Sequence, residues 1–78
     1  MREMVTAFIL ATTRDGKERE VLHELNRLGE VEEAWNVYGD YDVLIKAVTT
    51  DLDRLNSFLI KKLREIPDIA MTTTMIGL

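Results

Sequence analysis

Within five consecutive positions, Tyr38-Gly39-Asp40-Tyr41-Asp42, the chain gathers two carboxylates, two phenols and a glycine whose backbone no side chain shields. Backbone N–H groups beside such a glycine can hold a carboxylate, and Asp40 or Asp42 can accept hydrogen bonds from an ammonium group. The set therefore suits recognition of a small zwitterion, by binding rather than catalysis. The same residues also read as a hairpin turn whose carboxylates only face solvent, and residue types alone leave both readings open. Thr72, Thr73 and Thr74 add hydroxyl donors and acceptors near the end of the chain, although threonine is equally a good strand residue.

Other chemistries find little to work with. One serine, Ser57, one histidine, His23, and no cysteine give nucleophilic catalysis no activated pair. His23 falls about 200° round its helix from Val21, on the polar side between Glu20 and Glu24. Asp40-x-Asp42 lacks further oxygen ligands in the loop, and alternate strand residues point to opposite faces, so no metal or cofactor is expected. Glu32-Glu33 reads as a rim or edge charge pair. Trp35 and Phe58 read as core or interface residues.

The elements that must position the motif follow from periodicity. Residues 4–12 form a nearly continuous apolar run of strand length, expected to be covered on both faces. Residues 17–28 place Val21, Leu22, Leu25 and Leu28 on one helical stripe, with Gly29 at the position of a terminating glycine. Residues 31–38 read as a second strand, with Val31, Trp35 and Val37 on one face. A two-residue type II′ turn at Gly39-Asp40 leads to a third strand, 41–49, in which Tyr41, Val43, Ile45 and Ala47 share a face. Thr50 or Asp51 caps a second helix whose buried stripe is Leu52, Leu55, Leu59 and Leu63, with Phe58 and Ile66 at its margins, and Pro67 ends it. Residues 69–78 form the last strand, with Ile69, Met71, Thr73 and Met75 on one face.

This order, βαββαβ, predicts an α+β, ferredoxin-like fold with a four-stranded antiparallel sheet and a single domain over 1–78. Right-handed crossovers put both helices on one face. The other face keeps apolar side chains that a second sheet would bury, which predicts a homodimer packed sheet on sheet as a dimeric α/β barrel. The length supports this: a chain of 78 residues without cysteine buries only about 60% of its unfolded surface and gains from a partner. With 14 acidic against 10 basic side chains and a net charge of −4, no nucleic-acid surface is expected. Lys61, Lys62 and Arg64 sit late in a helix, where cations favour the dipole. Neither a membrane span nor a signal peptide is recognisable, so a cytoplasmic location is expected.

Tyr-Gly-Asp-Tyr-Asp-Val-Leu-Ile-Lys-Ala after a Trp-bearing strand, then an Asp-Leu-Asp-Arg-Leu helix and a Thr-x-Thr-Met-Ile strand, resembles the effector-binding domain of the Lrp/AsnC feast-or-famine regulators. This is also called the regulation-of-amino-acid-metabolism (RAM) domain. The likeness runs from Val5 to Leu78, and no helix-turn-helix segment precedes the first strand, as in the stand-alone members found chiefly in archaea and some bacteria. The resemblance implies dimers with facing sheets, often a ring of four dimers (an octamer), and amino-acid effectors bound between dimers. Carried onto this chain, it implies that Gly39, Asp40, Tyr41 and Asp42 hold the effector's ammonium and carboxylate groups, with Thr72 and Thr74 adding contacts. It also implies a role in regulating transcription or metabolism, through amino-acid sensing or co-assembly with full-length Lrp/AsnC regulators. Two rival readings are a small dimeric α/β-barrel enzyme, which needs an enclosed polar pocket, and a ligand-free structural assembly domain.

Overall fold

The computed structural model describes residues 4–77. In order, the elements are β1 (Val5–Thr13), α1 (Glu18–Asn26), β2 (Val31–Asn36), β3 (Val43–Thr49), α2 (Leu52–Ser57), which runs on as a π-helical segment (Phe58–Leu63), and β4 (Ile69–Ile76). The strands form one antiparallel sheet in the order β2-β3-β1-β4. This is the expected ferredoxin-like α+β fold. Leu78, expected at the end of the last strand, lies outside the described residues.

Alternation decides which side of the sheet each residue serves. Ala7, Ile9 and Ala11 of β1 and Val43, Ile45 and Ala47 of β3 are fully buried and join Val21, Leu25, Leu55, Phe58, Leu63 and Ile66 in one cluster. Residues of both helices meet the same set of strand positions, so both helices cover one face. The expectation that β1 is covered on both faces therefore fails within the chain, since the other face is left to solvent. It carries Phe8 (36% exposed), Trp35 (40%), Met71 (68%) and Met75 (50%), beside the half-buried Leu10, Leu44 and Val48.

Two bulges correct the expected faces. The register of β2 shifts between Val31 and Glu33, so Ala34 pairs with Ile45 and Trp35 with Leu44. Val31 and Ala34 pack on the core while Trp35 turns to the open face, because the extra residue reverses the alternation. A second shift, between Thr12 and Thr13, places Ile69 opposite Thr13 and against the core, whereas Met71, Thr73 and Met75 stay on the open face.

The helices are shorter than periodicity suggests. After Asn26 the chain tightens, with Arg27 N–H donating to Glu24 C=O at 3.2 Å and Leu28 N–H to Leu25 C=O at 3.0 Å. Gly29 is not among the glycines of positive φ, so it does not terminate α1 in the left-handed way expected. Asp51 is the cap of α2, its Oδ1 accepting the Arg54 N–H at 2.8 Å. The buried stripe beyond it is Leu55, Phe58, Leu63 and Ile66, while Leu52 is 58% exposed and Leu59 only half-buried. The π-helical segment sets the far part of this stripe: its wider turn spaces Phe58 and Leu63 five residues apart and leaves Leu59 at the margin of the core, whereas Leu52 is exposed ahead of it in the first turn of α2.

Candidate functional site

The link between β2 and β3 is a six-residue loop, 37–42, not a two-residue turn. Val37 N–H donates to Asp42 C=O at 2.9 Å and closes it. Asp42 N–H donates to Ala11 C=O at 2.9 Å, and Asp42 Oδ2 accepts the Thr13 N–H at 2.8 Å and lies 3.4 Å from Thr13 Oγ1. Asp42 thus fastens the loop to the end of β1, and this competing attachment lifts Tyr41 out of the β3 ladder. Gly39 sits at φ +123°, a region open to glycine and strained for residues with a Cβ. A Cβ built there meets nothing within 4 Å, so conformation rather than space demands the glycine.

The six residues singled out from the sequence are not equivalent. Asp40 is exposed and enters none of the ion pairs among the described residues. Asp42 is half-buried and its carboxylate already serves Thr13. Tyr41 reaches across to β4, its hydroxyl 2.9 Å from Thr73 Oγ1, instead of sharing a face with Val43, Ile45 and Ala47. Thr73 is opposite Leu10 on the open face, while Thr72 and Thr74 are opposite Ala11 and Ile9 on the helix side of the same strand. Tyr41 and these two threonines therefore lie on opposite sides of the sheet. Tyr38 is fully exposed at the loop. A groove of about 290 Å³ beside it is lined by Glu18, Asn36, Val37, Tyr38 and Asp42.

A larger concavity is elsewhere. About 730 Å³ in volume, it is at the other end of the sheet and is lined by Gly29, Glu30, Thr49, Asp51, Arg54 and Lys62, among others. Both of its cations are paired: Lys62 Nζ lies 3.1 and 2.9 Å from the two Glu30 oxygens, and Arg54 Nε lies 3.9 Å from Asp51 Oδ2, while Asp53 on its lining enters none of the ion pairs among the described residues. The hydrogen bond from Lys62 holds the Glu30 carboxyl below its ordinary value, against an opposing push from partial burial. An anionic group entering there meets two cations that are already engaged. On the open face Lys46 Nζ lies 3.0 Å from Glu32 Oε1, and that hydrogen bond holds the ammonium above its ordinary value.

Sequence reasoning missed Thr13 and Tyr41–Thr73, whose partners are separated by 29 and 32 positions. No local pattern marks contacts so distant. His23 is exposed on α1, Trp35 is on the open face, and Ser57 lines the far groove, so the fold does not assemble them.

The βαββαβ order, with a loop anchored at one end of the sheet, defines a ferredoxin-like α+β domain, and comparison with known proteins gives its family. The family described as the Lrp/AsnC ligand binding domain matches residues 6–78, and this chain belongs to it. It is 40% identical over 72 residues to the HTH-type transcriptional regulator FL11 of Pyrococcus abyssi, a match that covers 92% of this chain and 47% of that protein. The chain thus spans about half the length of the curated relatives it matches. The crystal structure of FFRP-DM1 superposes with a TM-score of 0.92 at 50% identity, covering 95% of this chain and 99% of that one. The structure of Escherichia coli AsnC gives 0.90 at 33% identity, covering 95% and 50%.

Proposed function

We propose that the chain is a non-enzymatic module that binds a small amino acid at the loop 37–42 and couples occupancy to its own assembly. One observation carries this reading: the loop backbone is fixed by Asp42 while the Asp40 carboxylate faces solvent without a partner ion. Asp40 accepts hydrogen bonds from the ammonium group, and peptide N–H groups flanking Gly39, where no Cβ intervenes, take the carboxylate. Asp42 and Tyr41 hold the loop in shape. Thr72 and Thr74, on the helix side of an edge strand, offer hydroxyls from a neighbouring subunit or from this one.

The unit that senses is a homodimer. Phe8, Trp35, Met71 and Met75 leave the open face apolar, and a second sheet stacked on it removes that surface from water. Four such dimers closing into an octameric ring, as the family resemblance implies, bring the loops to dimer boundaries, where bound effector favours the assembly that binds it better. The domain then acts in the cytoplasm on transcription or metabolism through protein partners, full-length Lrp/AsnC regulators among them, without itself touching DNA. No helix among the described residues is long and apolar enough to cross a membrane.

Native mass spectrometry of the protein, alone and with a mixture of the common L-amino acids, tests this directly. Even-numbered assemblies that gain discrete amino-acid masses are expected. An assembly indifferent to every amino acid would reject the sensor in favour of a structural role, and a bare monomer would reject the sheet packing.

A further inference from the structure

Tyr41 stands between the two carboxylates of the loop, yet its side chain belongs to another surface. Its hydroxyl is 2.9 Å from Thr73 Oγ1, and Thr73 pairs with Leu10 on the face that neither helix covers. Because β1 lies between β3 and β4, the ring must cross the end of β1 to make this bond. Its neighbours go elsewhere: Asp40 is exposed and Asp42 is tied to Thr13 at 2.8 Å. One loop residue therefore lies where a second sheet must pack, and facing sheets stand only about 10 Å apart. A ring that lies on one of them sets part of the shape the other meets.

From this placement we infer that Tyr41, through Thr73, is the positioning residue that links occupancy of the loop to closure of the open sheet face. The inference rests on the reading of the loop as an amino-acid site. A ligand held by Asp40 and by the backbone at Gly39 adjoins Tyr41 directly, so it favours one placement of the ring over others. It shifts assembly only as far as it binds that placement better, and assembly shifts its affinity by the same factor. The Tyr41–Thr73 hydrogen bond is the contact that distinguishes the placements, and a neutral bond of this kind supports a linkage of roughly threefold to tenfold.

The test compares Thr73→Val, Tyr41→Phe and the double variant with the unaltered chain. Sedimentation equilibrium, with and without an equimolar mixture of the common L-amino acids, gives the ratio of association constants, and native mass spectrometry reads bound amino acid. In the unaltered chain the ratio departs from one. Thr73→Val should bring it back by roughly threefold to tenfold while still carrying amino-acid mass, Tyr41→Phe should do the same to the ratio, and the double variant should do no more than either. Thr73→Ser, which keeps the hydroxyl, should restore the original ratio. A Thr73→Val chain with an unchanged ratio, or losses that add in the double variant, would overturn the link while leaving the sensor intact. An unaltered chain that takes up no amino acid would overturn the sensor itself, and the link with it.

Discussion

Asp42 Oδ2 accepts the backbone N–H of Thr13 at 2.8 Å across 29 positions of sequence, which fastens the loop between β2 and β3 to the last residue of β1. The two carboxylates of the motif thereby take different work. Asp42→Ala should destabilise the fold by about 1.5–3 kcal/mol, the range for a hydrogen bond to a charged group, and should weaken ligand binding only by loosening the loop. Asp40→Ala should weaken amino-acid binding with stability unchanged within about 0.5 kcal/mol. Urea titration and calorimetric binding on the same two variants separate these outcomes, and equal stability losses would refute the division of roles.

Gly39 and Gly29 should answer the same substitution with opposite signs. At φ +123°, Gly39→Ala forces a strained backbone and should cost about 1–3 kcal/mol. Gly29 lacks a positive φ and a Cβ there meets nothing within 4 Å. Gly29→Ala should be neutral or stabilise by up to about 1 kcal/mol. Thermal or urea unfolding decides, and a neutral Gly39→Ala would mean the loop relaxes to another conformation.

The two ends of the expected leucine stripe should answer truncation differently. Leu63 is 1% exposed and Leu52 is 58% exposed. Leu63→Ala should therefore cost about 2–5 kcal/mol, and Leu52→Ala should stay within about 0.5 kcal/mol. Comparable losses in the urea midpoint would restore the regular stripe through Leu52.

Acid sensitivity should be traceable to Glu30 and Lys62. The hydrogen bond from Lys62 holds the folded Glu30 carboxyl below its ordinary value of 4.5. For a carboxyl depressed in this way, the stabilisation is complete above the unfolded value and is lost as pH falls through the folded one. Lys62→Gln removes the partner, so its urea midpoint should fall less than that of the unaltered chain between roughly pH 6 and pH 3. Parallel curves for the two proteins would show that the pair contributes nothing there.

Placing a charge on the open face should separate assembly from folding. Phe8, on the central strand β1, is 36% exposed, and a carboxylate there would be buried without a partner once two sheets meet. Phe8→Asp should sediment as a monomer while keeping its circular dichroism. A dimer that survives the change would place the contact on another surface.

The βαββαβ order, both helices on one side, a cap at Thr50 or Asp51 and the apolar open face were all legible in the sequence, because each rests on local periodicity, local capping chemistry or the handedness of crossovers; the structure decided the cap for Asp51. The glycine requirement at Gly39 was legible too, although the turn built around it was not. What the tertiary structure alone decided are the features whose partners are far apart along the chain. Thr13 and Ala11 both bind Asp42, through its carboxylate and its N–H, and a six-residue loop stands where a two-residue turn was expected. Bulges beside Glu32 and Ala70 exchange the faces of Trp35 and Ile69. In the second helix Leu55 and Leu63 are buried as expected, but Phe58 and Ile66 move from the margin into the core and Leu52 is left exposed, because the core, not the helix, sets which side chains fit. Tyr41 reads in sequence as one more alternating strand residue, and only the nearness of Thr73 across β1 draws it onto the open face.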